Sequence, residues 1–442
     1  MNFAQANQYL LSLGHETLTM KLGLRSTELL LESLGNPQTS YESVQIAGTN
    51  GKGSTAVMLD AICRAAGIRA GLYTSPHLVS ITERIKIDDK EIAEVNLARI
   101  ATEVRIAAED LVKMGVLEAA PTFFEQVTAI ALLAFKEANI ELAILEVGLG
   151  GRLDSTTAVR APTVAITPIS IDHQEYLGET LAEIAAEKAA IIRPRSCVVI
   201  APQTEEARRV ILEFCQTNGV VPVWATENIS APDARGGYSF RTEHEIYEDV
   251  RPGLRGVHQL QNTATAIALA ECLANQGFAI TRDAIIDGLQ NARHAGRLEI
   301  FDYSSETNKV VKVLLDGAHN PAGALALRSY LESELNGVKL TLVFGAMADK
   351  QLDAMAALLF PIAGSIILTQ PRNSRAAKVE HLAQLATKYA PAVSTESAPA
   401  SDIAMERALS SDGLVCVTGS LYLVGEVRQW LEQQYGQIGR FR

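Results

Sequence analysis

The segment Gln45-Ile46-Ala47-Gly48-Thr49-Asn50-Gly51-Lys52-Gly53-Ser54-Thr55 holds the residue types needed to bind phosphate. An apolar run enters a glycine-rich turn, and the turn feeds a helical pattern of Ala56, Val57, Leu59, Ala61 and Ile62. Glycines let backbone N–H groups approach an anion, a helix start adds partial positive charge, and Lys52 adds a full one. The spacing is tighter than in an ordinary Walker A loop: only two residues separate Gly48 from Gly51, and Gly53 follows Lys52. Four other residues follow or adjoin strand-like runs: Ser75 before Pro76-His77, Glu146 before Gly148-Leu149-Gly150-Gly151, His173 after Asp172, and Lys188 in an apolar helical stretch. Singly, each has an ordinary explanation: a turn serine, a satisfied core Glu or His, a lysine reaching for solvent. Their shared place at strand exits favours one site. Further on, Leu315-Asp316-Gly317-Ala318-His319-Asn320-Pro321 delivers Asp316 and His319 into a turn, with Pro321 suited to a first helical position. An Asx turn would account for Asp316 but leaves His319 unexplained.

The elements that must position these residues alternate along the chain. Apolar runs at 44–47, 70–74, 142–147 and 163–167 each lead into a loop, and helical patterns recur between them, as at 124–138. Repeated strand–loop–helix units predict parallel strands covered by helices, with ligands beyond the carboxyl ends of the strands. The stretch 226–255 is more polar and predicts short antiparallel strands, and a helix is expected from about Gln261 to Gln276. A second α/β series occupies 310–315, 342–345, 365–369 and 414–418, which places a domain boundary between about Ala295 and Glu299. Arg297 lies just ahead of that series, placed to offer a cation to nucleotide phosphates when the domains close. With Lys52 in one domain and Asp316 in the other, catalysis is expected to require their approach.

Composition narrows the class. A chain of 442 residues favours two domains, and 48% apolar with 5% aromatic residues suits aliphatic α/β layers. A net charge of −12 without a basic tract disfavours nucleic acid as a partner. Five scattered cysteines without CxxC spacing read as reduced thiols of a cytoplasmic protein. Neither a signal peptide nor a membrane span of roughly 20 apolar residues is expected.

With these motifs in view, the chain resembles the folylpolyglutamate synthase/dihydrofolate synthase family of the Mur-ligase superfamily, from Leu22-Gly23-Leu24 to Gly419-Ser420-Leu421-Tyr422. The resemblance rests on Gly48 to Ser54, Ser75-Pro76-His77-Leu78, Glu83-Arg84-Ile85, Glu146 to Asp154, Asp172-His173 with Leu177-Gly178, Glu187-Lys188-Ala189 and Asp316 to Pro321. It implies an α/β fold: a P-loop-type Mur-ligase central domain with a mostly parallel sheet over residues 1–296, carrying folate-binding elements. A smaller Rossmann-like C-terminal glutamate-ligase domain would occupy 297–442. It implies an ATP-dependent amide ligase that adds L-glutamate to a reduced folate through an acyl phosphate, and leaves dihydropteroate open as a second acceptor.

By the same resemblance Thr49, Asn50, Gly51, Lys52, Gly53, Ser54, Asn262, Arg297 and Asp316 contact ATP. Ser75, Glu146 and His173 ligate Mg²⁺, with two ions expected. Lys188 is the lysine that is carbamylated in this superfamily, and His319 orients the incoming glutamate. Leu22, Gly23, Thr122, Phe123, Phe124 and Asp154 surround the pterin or pteroate, although core packing is the alternative for one of the two phenylalanines. A cytoplasmic monomer is the family's common state. The chain departs from the usual family pattern at Lys21, Ser155, Thr157, Ala190 and Ala295. Two other readings compete: a Mur-type ligase acting on a UDP-linked cell-wall precursor, and a nucleotide-binding regulator. Only about 43 residues precede the first strand, so a separate UDP-binding domain is not expected there. The joint presence of Lys52, Glu146, His173, Lys188, Asp316 and His319 speaks against a regulator that has lost catalysis.

Overall fold

A computed structural model describes residues 1–14, 23–232, 236–304, 310–335 and 337–435. The chain divides into two units, Met1–Gly253 with Gln259–Arg293, and Leu254–His258 with His294–Arg442. The return of Leu254–His258 to the second unit has no signal in composition.

In the first unit the strands are β1 (Glu42–Ala47), β2 (Ala70–Tyr73), β3 (Ile85–Ile87), β4 (Lys90–Glu91), β5 (Leu142–Glu146), β6 (Thr163–Ile166), β7 (Cys197–Ile200) and β8 (Val223–Trp224). They form one sheet in the order β4-β3-β2-β5-β1-β6-β7-β8. β2, β5, β1, β6, β7 and β8 run parallel, and β3 and β4 add an antiparallel margin that the alternation of strands and helices did not foretell. Nearly every residue of β1, β2, β5 and β6 is buried, as parallel strands covered on both faces require. The chain leaves β1 to one side for β2 and later crosses from β5 past β1 to β6. β1 therefore stands where the winding reverses, and such a sheet opens a crevice at that point. Register aligns Tyr73 with Leu145 and Ile46 with Glu146 and Ala165, so the exits of β2, β5, β1 and β6 share one rim.

Helices cover both faces. The Phe123–Glu137 helix is buried almost all round, in a core with Leu10, Leu30, Tyr73, Val104 and Leu145. A second core gathers Ile166, Ile184, Ile191 and Ile200. The Lys52–Ala65 helix lies against the Arg282–Asn291 helix, where Gly288 meets the backbone of Ala61 and Ile62. A Cβ at Gly288 would strike the Ile62 backbone, which has no rotamer to give. We therefore expect Gly288→Ala to lower unfolding stability by about 1–3 kcal/mol. An unchanged urea midpoint would show that the two helices separate freely.

The polar stretch forms the antiparallel pair β9 (Tyr238–Arg241) and β10 (Ile246–Val250), and the helix after it runs His258–Asn275. The pair is tied to that helix, since Thr242 Oγ1 and Tyr247 Oη both donate to Glu271 Oε1, at 2.7 and 3.0 Å.

The second unit holds β11 (Glu299–Ser304), β12 (Val310–Leu315), β13 (Leu340–Phe344), β14 (Ser365–Leu368), β15 (Ser394–Ser397) and β16 (Leu414–Thr418), ordered β11-β12-β16-β13-β14-β15. Only β11 is antiparallel to its neighbour. No helix among the described residues is long and apolar enough to cross a membrane.

Candidate active site

β1 ends on the phosphate loop. Gly51 caps the Lys52–Ala65 helix at φ +89°, where a side chain would be strained, and a Cβ there would collide with the Asn262 carboxamide. Asn262 is fixed in turn: its Nδ2 donates to Gln259 Oε1 at 2.8 Å, and Gln259 Nε2 donates to Ser54 Oγ at 3.3 Å. Asn262 thus lies against the loop, whatever it contacts in a ligand complex. Gln259 was missed from sequence, and only its position one turn before Asn262 would have pointed to it. Lys52 Nζ donates to the Thr49 carbonyl at 3.1 Å, which folds the ammonium back over the loop. Gly53 lies in the first helical turn, where amides have no intrahelical acceptor. The Thr49 hydroxyl bonds the Ser170 backbone, so that contact sets the loop's shape.

At the exits of β2 and β5, the Ser75 N–H donates to Glu146 Oε2 at 3.1 Å. Glu146 is buried, and a carboxylate there calls for a cation or donors. The loop after Ser75 is shaped by the next two motif residues. Glu83 accepts the N–H groups of Leu78, Val79 and Ser80, at 2.7–2.8 Å. Arg84, fully buried, donates its Nε to His77 Nδ1 at 2.8 Å. Burial and the Arg84 charge push the His77 pKa down to about 3, so the ring stays neutral with its proton on Nε2.

β6 leads to Asp172-His173. His173 takes a left-handed backbone, φ +53°, and its N–H donates to Asp172 Oδ1 at 2.9 Å. Such conformations in non-glycine residues gather at functional sites. Lys188, only 4% exposed, lies in the last turn of the Leu181–Ala189 helix. Burial above all, then the positive charge of Lys52, lowers its pKa to about 7, opposed by Asp172, Asp154 and Glu187. The loop before it is docked on this helix: the Arg152 N–H donates to the Glu187 carbonyl at 2.9 Å, and its guanidinium pairs with Glu187 Oε1 at 2.8 Å.

Asp154 is committed to its own loop. It accepts the N–H groups of Gly148, Leu149 and Thr156 and the Thr156 hydroxyl. Its burial raises its pKa against those bonds. Ser155 and Thr157, the departures beside it, are buried. The Thr157 hydroxyl donates to the Gly151 carbonyl at 2.7 Å, while Gln45 Nε2 donates to the Thr156 and Thr157 hydroxyls at 2.9 and 2.6 Å.

Thr122 caps the Phe123–Glu137 helix reciprocally with Glu125. Phe123 belongs to the core, with the Arg84 guanidinium 5.4 Å from its ring centre. Phe124 is only partly buried and lies against Gly148, just past Glu146. Phe124 is thus the more exposed of the two rings, packed at the margin of the core and beside Tyr73. Gly23 has φ +148°, and Leu22, like Lys21, lies outside the described residues.

In the second unit Asp316 is buried at the end of β12 and accepts the N–H groups of Leu298 and Ala318, both at 3.0 Å. Burial raises its pKa, and Arg297 opposes that rise. Arg297 Nη1 donates to the Gly317 carbonyl at 3.3 Å. His319 Nδ1 lies 2.8 Å from the same carbonyl, which can only accept, so Nδ1 carries a proton. Asn320 Oδ1 accepts the Gly323 N–H and opens the Pro321–Leu335 helix.

The rim can fit a divalent ion. The Ser75 backbone N–H meets the Glu146 carboxylate at the exits of β2 and β5, and His173 follows β6 on the same rim, so a hydroxyl, a carboxylate and an imidazole are available there. Among the described residues no three His, Cys, Asp or Glu converge on a metal position; the Ser75, Glu146 and His173 set has only two of those types.

Residues 46–270 match the Mur ligase middle domain, and residues 299–432 match the C-terminal domain of dihydrofolate synthetase. A probable bifunctional folylpolyglutamate synthase/dihydropteroate synthase of Haloferax volcanii is 36% identical over 97% of the chain, which spans 50% of that relative's length. Mycobacterium tuberculosis folylpolyglutamate synthase, solved with ADP and AMPPCP, is 32% identical with a TM-score of 0.87, covering 99% of this chain and 98% of that one. The bifunctional folylpolyglutamate synthase/dihydrofolate synthase of Yersinia pestis, solved with AMPPNP and a manganese ion, is 28% identical with a TM-score of 0.83, covering 98% of each chain.

Proposed function

We propose that this chain, which belongs to the folylpolyglutamate synthase/dihydrofolate synthase family of the Mur ligases, is an ATP-dependent ligase joining L-glutamate to a reduced folate. The observation that supports this reading is the rim where β2, β5, β1 and β6 end, which gathers the Lys52 loop, the Ser75–Glu146 contact and Asp172-His173, with the buried Lys188 nearby. Phosphoryl transfer needs mainly positioning and neutralisation of charge. Lys52 and the amides of Gly51, Gly53 and Ser54 are assigned to the ATP phosphates, Thr49 to shaping their loop, and Asn50, Asn262, Arg297 and Asp316 to further nucleotide contacts. Ser75, Glu146 and His173 would hold Mg²⁺, which when bound supplies charge neutralisation at the phosphates.

The acceptor's carboxylate oxygen attacks the γ-phosphorus, the bond to the β-phosphate oxygen breaks, and ADP leaves an acyl phosphate. The glutamate nitrogen then attacks the acyl carbon, loses a proton, and phosphate departs with the electron pair. His319 is assigned to orienting that amine. The lowered pKa leaves far more of Lys188 as the neutral amine near neutral pH than an exposed lysine would have, and that amine can add to CO₂ with release of a proton to give a carbamate. The product anion beside Lys52 replaces a repulsion by an attraction and would support a second ion. For the folate wall we propose Phe124, Thr122, Gly23 and Leu22, with Phe123 and Asp154 holding its frame. The working form is proposed as a cytoplasmic monomer.

The test is ATP turnover with L-glutamate and, in turn, tetrahydrofolate, methylene-tetrahydrofolate, dihydropteroate or a UDP-muramoyl peptide. Phosphate release and a new amide are expected with the reduced folates, and the dihydropteroate arm decides bifunctionality. Turnover with the UDP-muramoyl peptide alone would overturn the reading.

A further inference from the structure

The segment from Thr167 to His173 is bonded on both sides. On one side lies the phosphate loop. Thr49 and Asn50 N–H donate to the Pro168 carbonyl at 3.0 and 3.2 Å. The Thr49 hydroxyl donates to the Ser170 carbonyl at 3.0 Å and accepts the Ser170 N–H at 3.1 Å, and Asn50 Nδ2 donates to Ser170 Oγ at 3.4 Å. On the other side lies Gln203, just past β7. Its Oε1 accepts the Ile169 N–H at 3.1 Å, and its Nε2 donates to the carbonyls of Thr167 and Ile166 at 3.1 and 3.4 Å. β6 and β7 pair as far as Ile166 and Ile200, and the Ala201 N–H still reaches the Ile166 carbonyl at 2.9 Å. Beyond that point the side-chain amide of Gln203 stands in for the peptide group that a longer β7 would have offered. It satisfies both a donor and an acceptor of a segment that has left the sheet.

We propose that Gln203 is a positioning residue. By fixing Thr167–His173, and through the Thr49–Ser170 hydroxyl lock, it makes nucleotide binding at the phosphate loop and metal binding at His173 interdependent. Gln203 lies in neither group of ligands. The proposal rests on the assignment of those two groups under Proposed function. Coupling needs one physical element that both sites bias, and this segment is bonded to the loop at one end and carries His173 at the other. A glutamine that merely stabilised the fold would lower the unfolding temperature without changing how metal and nucleotide influence each other.

The test measures ADP affinity by calorimetry with and without Mn²⁺ for the parent, Gln203→Ala, Thr49→Val and Thr49→Ser, with thermal unfolding of each. The parent is expected to bind ADP more tightly with Mn²⁺. Gln203→Ala should lose most of that gain, with ADP affinity in Mn²⁺ down roughly tenfold, as when an orienting partner of a metal ligand is removed. Thr49→Val, which keeps the shape but not the hydroxyl, should behave alike, and Thr49→Ser should restore the gain. If Gln203→Ala does not fold, the Thr49 pair decides. Variants that keep the full Mn²⁺ gain while only melting earlier would overturn the proposal alone. A parent that binds no ADP, or binds it without regard to Mn²⁺, would overturn the phosphate-loop or metal assignment and the proposal with it.

Discussion

Lys188→Met is expected to bind ATP near the parental affinity yet form amide at least about 100-fold more slowly, the scale of losing one preorganised charge-stabilising group. Bicarbonate will not restore it, because a thioether cannot become a carbamate. The loss should not come from unfolding. Lys188 is 4% exposed, and its pKa lies near 7 rather than 10.5, so the folded state disfavours the protonated amine. For the unmodified lysine the burial penalty is complete below about pH 7, and it fades as pH rises from 7 towards 10.5. In that window the unfolded chain binds the extra proton, so stability climbs with pH. Lys188→Met should remove this climb and match or exceed the parent's thermal stability at neutral pH. Parental turnover by the variant would eliminate the carbamate. A parent whose stability is flat between pH 7 and 10 would show that Lys188 is not perturbed as its surroundings dictate.

Lys52→Met is the second large effect. The ammonium is tethered to the Thr49 carbonyl at 3.1 Å, so its charge is placed before ATP arrives and need not be reorganised during transfer. Its removal should slow ATP consumption by roughly 10²–10³-fold. The two lysines also sense each other, since Lys52 is the second-largest influence lowering the Lys188 pKa. Losing Lys52 should therefore raise the proton affinity of Lys188 and move the acid limb of the rate profile to higher pH. The double variant should fall short of the product of the single losses, as neighbouring charges in one site rarely act independently. Strict multiplicativity, or an unmoved acid limb, would show that the lysines act apart.

Much of this arrangement was legible in the chain because it is local. A strand that ends in glycines and lysine, or in Glu146 or Asp172-His173, announces its loop within a dozen residues, and parallel winding brings such ends to one rim. What was hidden is which partner each side chain meets, whether near or far in sequence. Asp154 looks like a ligand-facing carboxylate until its acceptors are seen to be filled by its own loop. Thr49 looks like a phosphate contact, but its hydroxyl meets Ser170, some 120 residues on. Phe123 and Phe124 are adjacent and alike in chemistry, and only the packing of their helix sends the first into the core and leaves the second beside Gly148. The antiparallel β3 and β4 were missed because strands of three and two residues carry too little periodicity to read.

The sheet that brings these ends together also keeps them separate in inheritance. Each candidate residue of the first unit hangs from its own strand or helix, and the register beneath is set by buried, mostly aliphatic side chains. A lineage can therefore lengthen, shorten or repaint the loops around Phe124 and Gly23 without disturbing the turn that holds Lys52. On the proposed assignment, acceptor preference can drift while the phosphate chemistry stays fixed.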